Sequence, residues 1–157
     1  MAQLYAQELD NRFLRISRNL FSTIMDTNET NSTFYGNVNL MKNGDYSEYA
    51  IGKLREEYFS SAWEYGTEYR IFLYTHDTDK LYQLSLSSDG NYTMSPDIAA
   101  SIREQIDKLD EKTYAVKRKW DVLECDNEVY ICKIAQKNGI ALGCICLLYT
   151  SPSPRDA

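Results

Sequence analysis

Apolar residues at the start of the chain recur at helical spacing. Leu4, Leu9, Phe13, Ile16, Leu20 and Ile24, with Phe21 and Met25 beside them, form one stripe over residues 1–28. That stripe predicts a long amphipathic helix of about 40 Å at roughly 1.5 Å per residue. The polar run 26–33 is rich in turn formers and ends it. A second helix is expected from about Asp45, carrying Tyr46, Ile51, Leu54 and Tyr58 and closing at Trp63-Glu-Tyr-Gly66. The period then drops to two: 69–75 reads as a strand, 76–80 as a turn, and 81–86 as a returning strand. Ser95 and Pro96 supply a cap and a first-turn proline for a helix whose apolar face is Ile98, Ile102, Ile106 and Leu109. Three more strands are expected over about 116–124, 129–136 and 140–145. Asp126-Asn127 and Asn138-Gly139 join them, and Asn-Gly between apolar runs is the strongest short hairpin signal.

Two-residue turns at those dipeptides fix a register. Ile134 then lies opposite Gly143, Cys132 opposite Ile145, Val122 opposite Ile131 and Trp120 opposite Lys133. One face carries Leu123, Tyr130, Cys132, Ile134 and Ile145, and the other Trp120, Val122, Val129, Ile131, Ile140 and Leu142. Both faces are apolar, so the sheet must be covered on both sides. The long N-terminal helix is expected on one face and the shorter helices on the other. The fold class is therefore α+β, with a central antiparallel sheet of about five strands between helices.

Composition narrows the function classes. The net charge of -6 and a pI near 4.8 oppose a nucleic-acid surface, which needs a basic face. No stretch reaches the roughly 18 to 20 apolar residues of a membrane helix. Four cysteines and one histidine, without CxxC spacing, give no zinc ligand set, and the cysteines are expected as unpaired thiols. The run Cys146-Leu-Leu-Tyr-Thr-Ser-Pro-Ser-Pro-Arg-Asp156 is similar to a reading frame through the transposon-end adapter of sequencing libraries. Residues 146–157 are accordingly expected to be foreign to the fold, leaving one domain over 1–145 with its core in about 43–145.

A long leading helix, a second helix, two strands, a helix and a three-stranded meander resemble a PAS-like sensor module. With the long helix the chain is similar to a Cache domain, the extracytoplasmic sensor of bacterial membrane receptors, and most of all to that of histidine kinases in two-component systems. The residues that carry the resemblance are the helix from Leu4 to Met25, the strand Arg70-Ile-Phe-Leu-Tyr74 with its His76-Asp77 turn, Trp120, Val129-Tyr-Ile-Cys-Lys-Ile134 and Gly139-Ile-Ala-Leu-Gly143. The resemblance implies a domain held outside the cell membrane by spans that this chain does not contain. It also implies a small-molecule ligand on the sheet, a homodimer through the N-terminal helix, and a kinase output encoded downstream.

Amino-acid-binding Cache domains carry an Arg-x-Trp-Tyr string, which this sequence lacks, so that ligand class does not carry over. The residues best suited to a polar or carboxylate-bearing ligand are Arg70, for a bidentate clamp, and Tyr74, Trp120 and Tyr130, for the walls of an amphipathic pocket. His76 and Asp77 read as a strand-ending turn. The sequence offers no catalytic constellation, metal site or cofactor motif, and nucleic acid is not expected as a partner. Two function classes stay open: the input module of a membrane receptor, and a free cytosolic PAS-like binding or interaction domain.

Overall fold

A computed structural model describes residues 11, 14–20, 22–24, 33–44, 47–58, 69–86, 90–109, 115–116, 120–125, 127–137 and 139–148. The helical positions Leu4, Leu9, Phe13, Phe21 and Met25, the Trp63-to-Gly66 closure and the last nine residues of the chain lie outside them. The helices are α1 (14–20 and 22–24), α2 (Thr33–Lys42), α3 (Ser47–Tyr58) and α4 (Pro96–Asp107). The strands are β1 (Tyr69–Thr75), β2 (Lys80–Gln83), β3 (Ala115–Val116), β4 (Asp121–Cys125), β5 (Glu128–Lys137) and β6 (Ile140–Leu148).

The six strands form one antiparallel sheet in the order β2-β1-β6-β5-β3, with β4 sharing the outer lane beside β5. The expected turns hold the register. Lys137 pairs with Ile140 across Asn138-Gly139, where Gly139 takes φ +76°, and Cys125 pairs with Glu128 across Asp126-Asn127, where Asn127 takes φ +65°. Both angles lie in the left-handed region that Gly and Asn tolerate best. Ile134 therefore faces Gly143, and Val122 faces Ile131.

The outer lane is broken where one strand was expected over 116–124. Val116 pairs with Ala135 but Asp121 with Cys132, so four residues of this lane stand against two of β5. A register shift of that kind is how edge lanes interrupt pairing. The returning strand is also shorter than expected, ending at Gln83.

Both faces of the sheet are covered, and the central strands β1, β5 and β6 are buried on both sides. That is why they read as largely apolar runs, unbroken in β6 from Ile140 to Leu148. One layer joins Ile16, Leu20 and Ile24 of α1, Phe34, Val38 and Met41 of α2, and Ala50 and Leu54 of α3 to Ile71, Leu73, Ile131, Leu142 and Cys144. The other joins Ile98, Ile102 and Ile106 of α4 to Phe72, Leu123, Tyr130, Cys132, Ile134 and Ile145. This corrects the expected division of helices. The N-terminal helix shares a layer with α2 and α3, and among the described helices only α4 covers the other side. Val122, expected in an apolar face, is 68% exposed.

Local chemistry secures the elements. Ser95 Oγ accepts from the Ile98 N–H at 3.2 Å with Pro96 at the first helical position, the expected start of α4. The Tyr35 hydroxyl donates to the Ile24 carbonyl, fastening α2 to the last described turn of α1. β6 runs three residues past the expected boundary at Ile145. Cys146 pairs with Tyr69 and Ile131 and is 2% exposed, so the sheet incorporates residues that the sequence reading set outside the fold. Among the described residues no helix is long and apolar enough to cross a membrane.

Candidate functional site

Alternation along β1 places Arg70, Phe72 and Tyr74 on the α4 side of the sheet. Phe72 and Tyr74 belong to the apolar cluster there. Arg70 pairs with Ile145, which pairs in turn with Cys132, and Tyr130 lies two residues along β5 on the same side. Arg70 is half-buried, with its Nε shielded from solvent. The Tyr130 hydroxyl donates to Glu128 Oε2 at 2.9 Å. Burial first, and then that bond to a carboxylate, push the Tyr130 phenol up to about 12, while the Arg70 charge pulls it down. Arg70 and Tyr130 therefore share one electrostatic environment at this end of the sheet.

The Tyr74 hydroxyl belongs to a separate polar group on the same side of the sheet. Four residue steps along the strand separate Tyr74 from Arg70, about 13 Å at roughly 3.3 Å per residue. Phe72 fills the space between them, with its ring seated where Gly143 has no side chain. The Tyr74 hydroxyl donates to Asp79 Oδ1, and Arg103 of α4 binds the same oxygen through Nη1 at 2.6 Å and the Asp79 carbonyl through Nη2 at 3.3 Å. The Asp79 bond, ahead of burial, raises the Tyr74 phenol to about 12, and the bonds from Tyr74 and Arg103 hold the Asp79 carboxyl below its ordinary value. Asp77 pairs with Lys42 of α2 at 3.1 Å. His76 Nε2 bonds Gln136 Oε1 at 2.8 Å, and the His76 N–H donates to the Gly139 carbonyl. The turn after β1 is thus gripped from both helical layers. His76 and Asp77 lie in a turn after β1, as expected.

Trp120 packs against the α1–α3 layer, on the other side of the sheet from Tyr74 and Tyr130. The four residues singled out from the sequence therefore do not form one pocket. Arg70 and Tyr130 come together, Tyr74 is held by a turn aspartate and an arginine, and Trp120 faces the opposite layer.

A further group escaped the sequence reading. Arg55 of α3 donates through Nε to the Gln83 carbonyl at 3.1 Å, and its guanidinium carbon lies 4.1 Å from the centre of the Tyr92 ring. Burial lowers its pKa, and the cation's position over Tyr92 opposes that shift. The turn presenting Tyr92 is set by Asn91, whose Oδ1 accepts from the Thr93 N–H at 2.9 Å, and by Gly90 at φ +85°. The apolar stripe of α3 marks Leu54, but no local pattern couples a helix arginine to a loop tyrosine so much later in the chain.

The four cysteines are buried and none is in a disulfide, as expected. Cys125 and Cys132 lie in the α4 layer, Cys144 and Cys146 in the other. Burial raises the Cys144 thiol well above its ordinary value, which suppresses the nucleophilic thiolate. Among the described residues no group of three or more His, Cys, Asp and Glu side chains is placed to hold a metal ion. Compared with family models, with curated proteins and with solved structures, the chain matches none.

Proposed function

We propose that this chain is the small-molecule input domain of a membrane signalling receptor, similar to the extracytoplasmic Cache domain of a sensor histidine kinase. The observation that carries the reading is the order of elements on one sheet: a helical layer, two strands, α4, then a meander whose last strand returns beside β1. In that order α1 rests directly on the sheet, through Ile16, Leu20 and Ile24. A ligand that displaces the sheet would act on α1, and it shifts signalling only by its difference in affinity for the two states. Arg70 and Tyr130 supply the polar end of the ligand site, a cation and a phenol at the border of an apolar cluster. Leu14, 48% exposed on α1, fits a homodimer through this helix in the receptor.

Two experiments test the reading. The uninterrupted gene should encode membrane spans on both sides of this segment, and a frame with neither leaves a free PAS-like binding domain. A thermal-shift screen of organic acids, amines and sugars should give a stabilising ligand whose affinity falls about tenfold or more in Arg70→Ala, the cost of a charged hydrogen bond. A change within about twofold removes Arg70 from the site.

A further inference from the structure

We infer that Arg55 and Tyr92 form a second ligand-binding element at the β2 edge of the sheet, one that takes a carboxylate group. The guanidinium plane is fixed at two points. Its Nε bonds an edge-strand carbonyl, and one face stacks on Tyr92 in a turn held by Asn91 and Gly90. An arginine carries five N–H donors in a rigid fork. One of them is spent on Gln83, which leaves the Nη1 and Nη2 edge, the edge that matches the two oxygens of a carboxylate.

The charge balance points to a ligand as well. Arg55 is half-buried, and burial is the main influence on its pKa. A charge taken partly out of water is ordinarily offset by a counter-ion. Arg103, by comparison, has one: it is neutralised by Asp79. Among the described residues Arg55 meets a carbonyl and an aromatic ring, and no carboxylate. The adjacent Glu56 pairs with Lys53 instead. One guanidinium provides one positive charge, which suits a monoanionic carboxylate better than a phosphate dianion. The site goes beyond the sensing reading, because it stands at the sheet edge apart from Arg70 and Tyr130.

The test follows the Arg55 Nε–H signal by nitrogen-15 NMR of the whole chain, assigned by its disappearance in Arg55→Lys. Sodium acetate is titrated against sodium chloride at constant ionic strength, and sodium phosphate afterwards. The expected result is a saturable shift with acetate and none with chloride. By backbone amide shifts, acetate affinity should fall about tenfold in Arg55→Lys, which keeps the charge but loses the fork. In Arg70→Ala the Arg55 Nε–H signal should still shift with acetate as in the wild type, whatever becomes of binding at the sheet face. If Arg55→Lys loses its folded amide spectrum, Tyr92→Leu takes its place, since it leaves Arg55 charged but frees its plane, and weaker acetate binding is expected there too. A shift that fails to saturate, acetate binding unchanged in the folded variant, or a preference for phosphate overturns the assignment. Loss of acetate binding in Arg70→Ala but not in Arg55→Lys returns the carboxylate site to the sheet face.

Discussion

Gly143→Ala tests the centre of the fold with a single methyl group. Gly143 lies in β6 between Phe72 of β1 and Ile134 of β5, on the α4 side of the sheet. A Cβ there would stand 2.8 Å from Phe72 Cε1 and 2.7 Å from the Lys133 carbonyl oxygen. Neither neighbour can yield. The oxygen belongs to the backbone of a central strand, and Phe72 is fully buried. Overpacking of a tight core costs about 1–3 kcal/mol, and with a backbone atom in the way the upper end, about 3 kcal/mol, is expected. Unfolding entropy is roughly 2.1 cal/mol/K per residue, so a chain of 157 residues has about 0.3 kcal/mol/K. The substitution should therefore lower Tm by about 10 °C. Gly36→Ala supplies the opposite sign. Gly36 is exposed inside α2 with nothing within 4 Å of an added Cβ, so alanine should stabilise by up to about 1 kcal/mol. Adding Phe72→Leu to Gly143→Ala removes the ring contact, and the double variant should be more stable than the sum of the singles. Calorimetry of the wild type, the three single variants and the double variant decides. A Gly143→Ala loss below about 1 kcal/mol, or effects that add within about 0.5 kcal/mol, would mean that the Phe72 ring does not sit over Gly143 and that the β1–β6 register is wrong.

Two further outcomes follow from the sites described. Tyr74 and Tyr130 both have phenols raised to about 12, so the native protein should show late tyrosinate absorbance on alkaline titration, with one late step lost in Tyr74→Phe. A folded pKa above the unfolded value near 10 contributes stability that is fully present below pH 10 and lost towards pH 12, so Tyr74→Phe should flatten the alkaline fall in Tm. Alkylation followed by mass spectrometry should count four free thiols in the unfolded, unreduced chain, and far slower labelling in the folded one. A mass showing an internal disulfide would contradict the placement of the cysteines in two layers.

The elements legible in the sequence are those with local causes. Asn138-Gly139 and Asp126-Asn127 set their hairpins because the turn residues themselves adopt the needed backbone angles. Ser95-Pro96 starts α4 by a bond within its own first turn. The helix α2 left no such mark. Gly36, Asn37 and Asn39 weaken its intrinsic preference, and it is held by the burial of Phe34, Val38 and Met41 against other elements. Tertiary packing overrides propensity there. The assignment of helices to faces was likewise long-range. Two apolar faces require two covers, but alternation in the strands does not say which helix goes where.

The site was legible only as far as side-chain direction goes. Period-two alternation and the Asp126-Asn127 turn already put Trp120 and Tyr130 on opposite faces, and the structure keeps them there. Grouping the two as walls of one pocket went by residue type and overrode that register. For Tyr74 the decisive fact is the length of a turn. Four residues between Thr75 and Lys80, with Asp79 at φ +51°, bring a carboxylate back onto the phenol that ends β1. Arg103 then reaches the same carboxylate from α4, an approach that depends on which helix covers that face. Once the helix layers are placed, each arginine resolved in detail acquires a distinct role. Arg103 ties α4 to the β1–β2 turn, and Arg70 acts on Tyr130. Arg55, with a stacked plane and an outer edge that meets no carboxylate among the described residues, is left as the group best prepared to receive one.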